Sequence, residues 1–140
     1  MLGPTQADQF RSKSTMRLVG TSAVLLVTAI ASTVQAQDSG PEAGQVLFNN
    51  ACRTCHSLNQ GDNRLGPHLY GVVGRKAGSV EGYGYSSALK GADLTWDTAT
   101  LDRFITAPDS VAPGHNMKPY PGMTSAEDRA KIIAFLETRR

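Results

Sequence analysis

Apolar side chains recur at intervals of three and four in three stretches of the chain, the spacing that gathers them on one face of an α-helix. The first stretch carries Gly44, Leu47, Phe48, Ala51 and Cys55, and it follows Ser39, Pro41 and Glu42. Ser39 and Glu42, three apart, predict a reciprocal cap with Pro41 in the first turn. The last stretch puts Ala126, Ala130, Ile133 and Leu136 on one face, with Thr124 and Glu127 as a second reciprocal cap. Between them Asp97 predicts the N-cap of a helix carrying Leu101, Phe104 and Ile105 and stopped by Pro108. A shorter helical turn is expected from Tyr85 to Lys90, closed by Gly91. The intervening chain is rich in Gly and Pro, and no run alternates as a strand would. The pattern predicts an all-α domain of three main helices, short helical turns and long loops.

The amino terminus follows another rule. Arg11, Lys13 and Arg17 precede an apolar run from Ala23 to Ala31, and Val34-Gln35-Ala36 offers the small residues that a signal peptidase reads. The expectation is a signal peptide over residues 1–36 and one domain over residues 37–140. The first fifteen residues are long and polar for such a leader, which makes Met16 an alternative start. The run is shorter than the roughly 20 residues that span a bilayer, which favours cleavage over the alternative of an uncleaved anchor. Removal of the leader changes the charge. Of the 14 basic and 12 acidic residues, three and one lie in it, so the remaining 104 residues are formally neutral. No basic tract points to nucleic acid. A domain of this size buries only roughly 60 to 70% of the surface of its unfolded chain, so a cofactor in the core would contribute much of its stability.

Cys52-Arg53-Thr54-Cys55-His56 names that cofactor, because C-x-x-C-H is the attachment motif of c-type haem. Residues three apart share a helical face, so both thiols can add to haem vinyl groups while His56 turns its imidazole to the iron. A zinc site would need about four ligands. Cys52 and Cys55 are the only cysteines, and His68 and His115 complete no zinc pattern. A thioredoxin-type disulfide would sit in a βαβ context that nothing around Cys52 suggests. Export and the motif agree, since c-type haem is attached outside the cytoplasm.

From Gly44 to its end the chain resembles class I cytochrome c. The landmarks, in order, are Gly44 and Phe48, the C-x-x-C-H motif, Gly66-Pro67-His68-Leu69-Tyr70-Gly71, Gly74-Arg75-Lys76-Ala77-Gly78, Tyr83-Gly84-Tyr85, Leu94-Thr95-Trp96, Pro113-Gly114-His115-Asn116-Met117 and a terminal helix with Phe135 and Leu136. The resemblance implies the cytochrome c fold around one covalent haem c, its iron held by His56 and Met117. Met123 is the rival thioether, and His115 is a substitute ligand if its loop moves. Pro67 is expected to accept the second imidazole N–H of His56. Arg75, Tyr85 and Trp96 are expected to meet the haem propionates, and Gly44, Phe48 and Phe135 to join the first and last helices.

Some positions depart from the family. Leu89 stands where many relatives have Asn, and Phe104 where they have Tyr, which removes hydrogen bonds beside the iron. Ala51, Asp109, Asn116, Thr124 and Ser125 replace lysines that ring the haem edge in mitochondrial members, while Lys90 and Lys118 remain near that face. The implied function is a periplasmic one-electron carrier, monomeric and not an enzyme, that docks redox proteins and enters no membrane once its leader is cut. Two alternatives stand: a dedicated electron-transfer subunit of a dehydrogenase, and a haem peroxidase or gas sensor, which would need an open sixth position.

Overall fold

Helix ends are where side chains must replace missing backbone partners, and they set the frame here. The computed structural model describes residues 40–140, with α1 Pro41–Ala51, α2 Ser87–Lys90, α3 Thr98–Thr106, α4 Pro108–Val111 and α5 Ala126–Glu137. The leader predicted over residues 1–36 and the predicted cap Ser39 lie outside the described residues. α1 starts with Pro41 at its first position behind Gly40, whose backbone is extended and which supplies no side-chain cap. α3 is capped as expected, the Asp97 carboxylate accepting from the Thr100 amide at 2.7 Å. Pro108 does more than stop that helix: it opens the single turn of α4.

The cap of α5 falls one residue later than predicted. Ser125 accepts from the Asp128 amide at 3.2 Å, in place of the expected Thr124 and Glu127 pair. The reason is Arg129, whose Nη1 donates to the Met123 and Thr124 carbonyls at 2.9 Å each and so holds that segment outside the helix. Its Nε also pairs with Asp102 of α3 at 2.7 Å. The buried face of α5 is therefore Arg129, Ile132, Ile133, Phe135 and Leu136, while the predicted Ala126 and Ala130 are exposed.

α1 packs across α5. Phe48 and Phe135 are 1% and 0% exposed, and their rings meet at 5.7 Å. Gly44 makes the close approach possible, since a Cβ there would run into the Lys131 carbonyl oxygen and the Phe135 side chain. Extended pairing is limited, among the described residues, to one bridge between Lys76 and Thr95. The amides of Gly74 and Trp96 donate to the carbonyls of Trp96 and Arg75 at 2.9 Å each, which sets Arg75 beside Trp96. No helix among the described residues is long and apolar enough to cross a membrane.

Gly44→Ala sets two effects against each other. Helix propensity alone favours Ala by roughly 1 kcal/mol, but overpacking costs about 1–3 kcal/mol, and the obstacle is a backbone oxygen with little freedom to move. The substitution should lower the melting temperature of the purified protein by several degrees. A raised melting temperature would mean that α1 can back away from α5 at no cost.

Candidate functional site

The last turn of α1 runs directly into the motif. The Cys52 and Arg53 amides both donate to the Phe48 carbonyl, at 2.8 and 3.0 Å, and the Cys55 and His56 amides to the Cys52 carbonyl, at 3.1 and 2.9 Å. This tight turn brings Cys52, Cys55 and His56 to the wall of a single cavity of about 230 Å³. The loop beyond is tied back to it, Gly66 donating to the Cys55 carbonyl at 2.8 Å and Leu69 to the Ser57 carbonyl at 2.7 Å. Between those two bonds lies the Pro67 carbonyl, 2.7 Å from Nδ1 of His56. A carbonyl only accepts, so Nδ1 carries the proton and the Nε2 lone pair is left free. Gly66 has a steric role as well, because a Cβ there would occupy the space of the His56 ring.

Electrostatics separate this cluster from a redox dithiol. Burial first, and Cys55 second, push the Cys52 thiol up to about 11, whereas reactive dithiols have lowered values. Burial also lowers the pKa of His56, helped by Arg75 and opposed by the bond to Pro67, which keeps the imidazole neutral at neutral pH. A zinc reading fails on donor number. Among the described residues no three His, Cys, Asp or Glu side chains converge to hold a metal ion.

Met117 lines the same cavity, and Met123 packs against the core without lining it. Arg75, Tyr85 and Trp96 also line it, as do the two departures Leu89 and Phe104. Arg75 is partly committed to the fold, Nη1 donating to the Tyr70 carbonyl at 2.8 Å and Nη2 to the His68 carbonyl at 2.9 Å. Three of its five N–H donors are left for a ligand. Trp96 is buried and packs on Phe104 at 4.9 Å between ring centres. His115, the expected substitute ligand, is buried away from the cavity with only 3% of its surface exposed.

Two cavity tyrosines escaped assignment from the sequence. Tyr83 stands edge-on to Tyr85 at 4.8 Å and donates its hydroxyl to the Leu65 carbonyl at 2.7 Å. Tyr120 donates to the Ile105 carbonyl at 3.0 Å, fastening the loop after Met117 to α3. Spacing two residues from Tyr85, and a place between two prolines, were the available signals. The site as a whole offers two thiols and a neutral imidazole, apolar walls, a thioether, and an Arg, Tyr and Trp group suited to carboxylates. That donor set fits a covalent haem.

The family model described as cytochrome c matches residues 41–140. Cytochrome c2 of Rhodoblastus acidophilus is 46% identical over 97 residues, covering 69% of this chain and 89% of its own length. Cytochrome c-554 of Methylosinus trichosporium is 37% identical over 125 residues, or 89% of this chain and 92% of its own. Among solved structures, cytochrome cH from Methylobacterium extorquens matches with a TM-score of 0.64 at 41% identity, over 70% of this chain and 97% of that one.

Gly66→Ala tests the fit at the imidazole. The added methyl must displace the His56 ring from the Pro67 carbonyl, at a cost of about 1–3 kcal/mol. The expected result is a lower melting temperature together with an altered visible spectrum of the haem-loaded protein. An unchanged spectrum would show that the ring does not depend on this glycine.

Proposed function

The chain belongs to the cytochrome c family, with haem c bound covalently through Cys52 and Cys55, and we propose that it carries single electrons between redox proteins of the periplasm, using His56 and Met117 as axial ligands. The observation that carries this reading is the meeting of Cys52, Cys55, His56 and Met117 on one cavity that Met123 does not line. Haem c bound there supplies a ferric and ferrous couple, which a thioether ligand shifts to higher potential.

The chain's own groups serve that couple. Pro67 fixes the tautomer and orientation of His56 and raises its basicity as a ligand. Arg75, Tyr85 and Trp96 gather where propionates would need neutralising, since uncompensated buried carboxylates are costly. Leu89 and Phe104 make the interior wall drier than in relatives with polar residues there. Held by both His56 and Met117, haem iron would have no position open to peroxide or a gas, which favours a carrier over a peroxidase or sensor. The leader over residues 1–36 supports export, leaving residues 37–140 as a monomeric periplasmic domain.

Docking must use the exposed rim. Leu65, on the cavity wall, is 76% exposed, and Ala51 and Asn116 are exposed and uncharged. The Lys118 ammonium lies 2.6 Å from Asp109, so its charge is largely cancelled locally.

Two measurements test the proposal. The ferric protein should show the weak near-infrared band of Met–sulfur coordination, and Met117→Ala should abolish it, lower the potential and admit cyanide or CO. Loss of the band in Met123→Ala, with retention in Met117→Ala, would move the ligand role to Met123. Rates of electron transfer to the physiological partner should change only weakly across a salt series, since a neutral domain with a paired rim lysine gains little from steering that is screened beyond about 8–10 Å. A steep fall with added salt would overturn the apolar docking reading in favour of a local basic patch around Lys90 and Lys118.

A further inference from the structure

The segment that presents Met117 is held by a side chain that none of the roles above uses. His115 Nδ1 accepts the Met117 backbone amide at 2.9 Å. Acceptance at Nδ1 means that this nitrogen has no proton and that the hydrogen of the neutral ring sits on Nε2. Nε2 faces Oδ1 of Asp109 at 3.3 Å, close enough for electrostatic attraction but without the geometry of a full hydrogen bond. The other carboxylate oxygen of Asp109 binds Lys118 at 2.6 Å. One carboxylate of α4 thus anchors the residues on both sides of Asn116 and Met117.

Packing holds the ring as well. The His115 side chain is fully buried against solvent, and it stands edge-on to Phe104 at 5.8 Å between ring centres. Its own amide donates to the Ala112 carbonyl at 3.0 Å, across the Pro113-Gly114 turn, where Gly114 has φ of 83°. Phe104 in turn lines the cavity. The imidazole therefore connects the ligand loop to α3 by packing, to α4 through Asp109, and to Met117 through a directed hydrogen bond. Loss of that acceptor would leave a half-buried amide without a partner, and the loop would gain freedom to swing its thioether away.

From this geometry we propose that His115, steadied by Asp109, is a positioning residue that holds the Met117 loop closed over the iron. The inference rests on Met117 being the axial ligand. It adds that the strength of that ligation in this chain is set by a histidine acceptor two residues upstream.

The test uses the haem-loaded protein and reads cyanide affinity of the ferric form, the near-infrared Met–sulfur band and the potential. His115→Phe keeps a flat ring against Phe104 but has no acceptor. His115→Asn puts an oxygen near the place of Nδ1 and cannot reach Asp109 as the imidazole does. His115→Phe should bind cyanide about tenfold more tightly, with a weakened band and lower potential, the change expected for one lost hydrogen bond to a buried group. His115→Asn should recover most of the wild-type behaviour, and Asp109→Asn should show a smaller loosening in the same direction.

Wild-type behaviour of His115→Phe would overturn the proposal, leaving His115 as packing alone. Equal loosening in His115→Phe and His115→Asn would overturn it too, because the acceptor would then not be what matters. Absence of the Met–sulfur band from the wild-type protein would instead refute Met117 ligation itself, a result distinct from either.

Discussion

The interior of this domain must close around a space that the polypeptide does not fill. Leu89, Trp96, Leu101, Phe104, Ile132 and Leu136 belong at once to the buried core and to the cavity wall. Left without a ligand those apolar walls would face water, and each large apolar side chain left exposed forfeits roughly 1.5–3 kcal/mol. Small domains have only about 5–15 kcal/mol in all. The cofactor is therefore a component of the core, and the elements around it are arranged to reach it. α1 and α5 cross on Gly44 so that the turn after α1 brings two cysteines and a histidine to the wall. The 66–69 loop folds back so that a single carbonyl meets that histidine.

Much of this was legible in the sequence because it rests on local rules. The C-x-x-C-H turn, the Asp97 cap and the Gly91 stop each depend on residues whose chemistry is strict at fixed spacing, while the crossing at Gly44 and Phe48 was expected from the resemblance. What was misread depends on contacts between distant segments. The cap of α5 moved to Ser125 because Arg129 claims the carbonyls before it, and that arginine is held in its buried place by those carbonyls together with Asp102 on α3. Of the predicted apolar face Ile133 and Leu136 are buried as expected, joined by Ile132 and Phe135. Periodicity proposed Ala126 and Ala130 for that face; a buried arginine is invisible to such a rule.

The site divides in the same way. Its eight anticipated residues all line or border one cavity, since motif order already brought them together. Tyr83 and Tyr120 went unassigned because each acts through a hydrogen bond to the backbone of another segment, and backbone geometry is not written in residue type; His115, read as a substitute ligand, instead accepts the Met117 amide. Arg75 shows the reverse case. The expectation of a carboxylate partner was natural for a guanidinium in this place, yet two of its donors hold the Tyr70 and His68 carbonyls. It shapes the 66–75 loop before it meets any ligand.

Asp109 ties the interior to the surface. Where the resemblance to mitochondrial members leads one to expect a lysine, this chain has a carboxylate that faces His115 on one side and binds Lys118 on the other. Hydrogen bonding to Lys118, before any other cause, lowers the pKa of that carboxylate, so it stays charged through neutral pH. One substitution has two consequences. It adds an anchor for the loop that carries Met117, and it cancels one of the few cations left on the rim. A basic docking ring and a carboxylate clamp cannot both occupy this edge, because the clamp works by neutralising the charge that the ring would display. In this chain the edge carboxylate faces the ligand loop and is paired with Lys118, which leaves Leu65, Ala51 and Asn116 as exposed uncharged residues of the cavity rim.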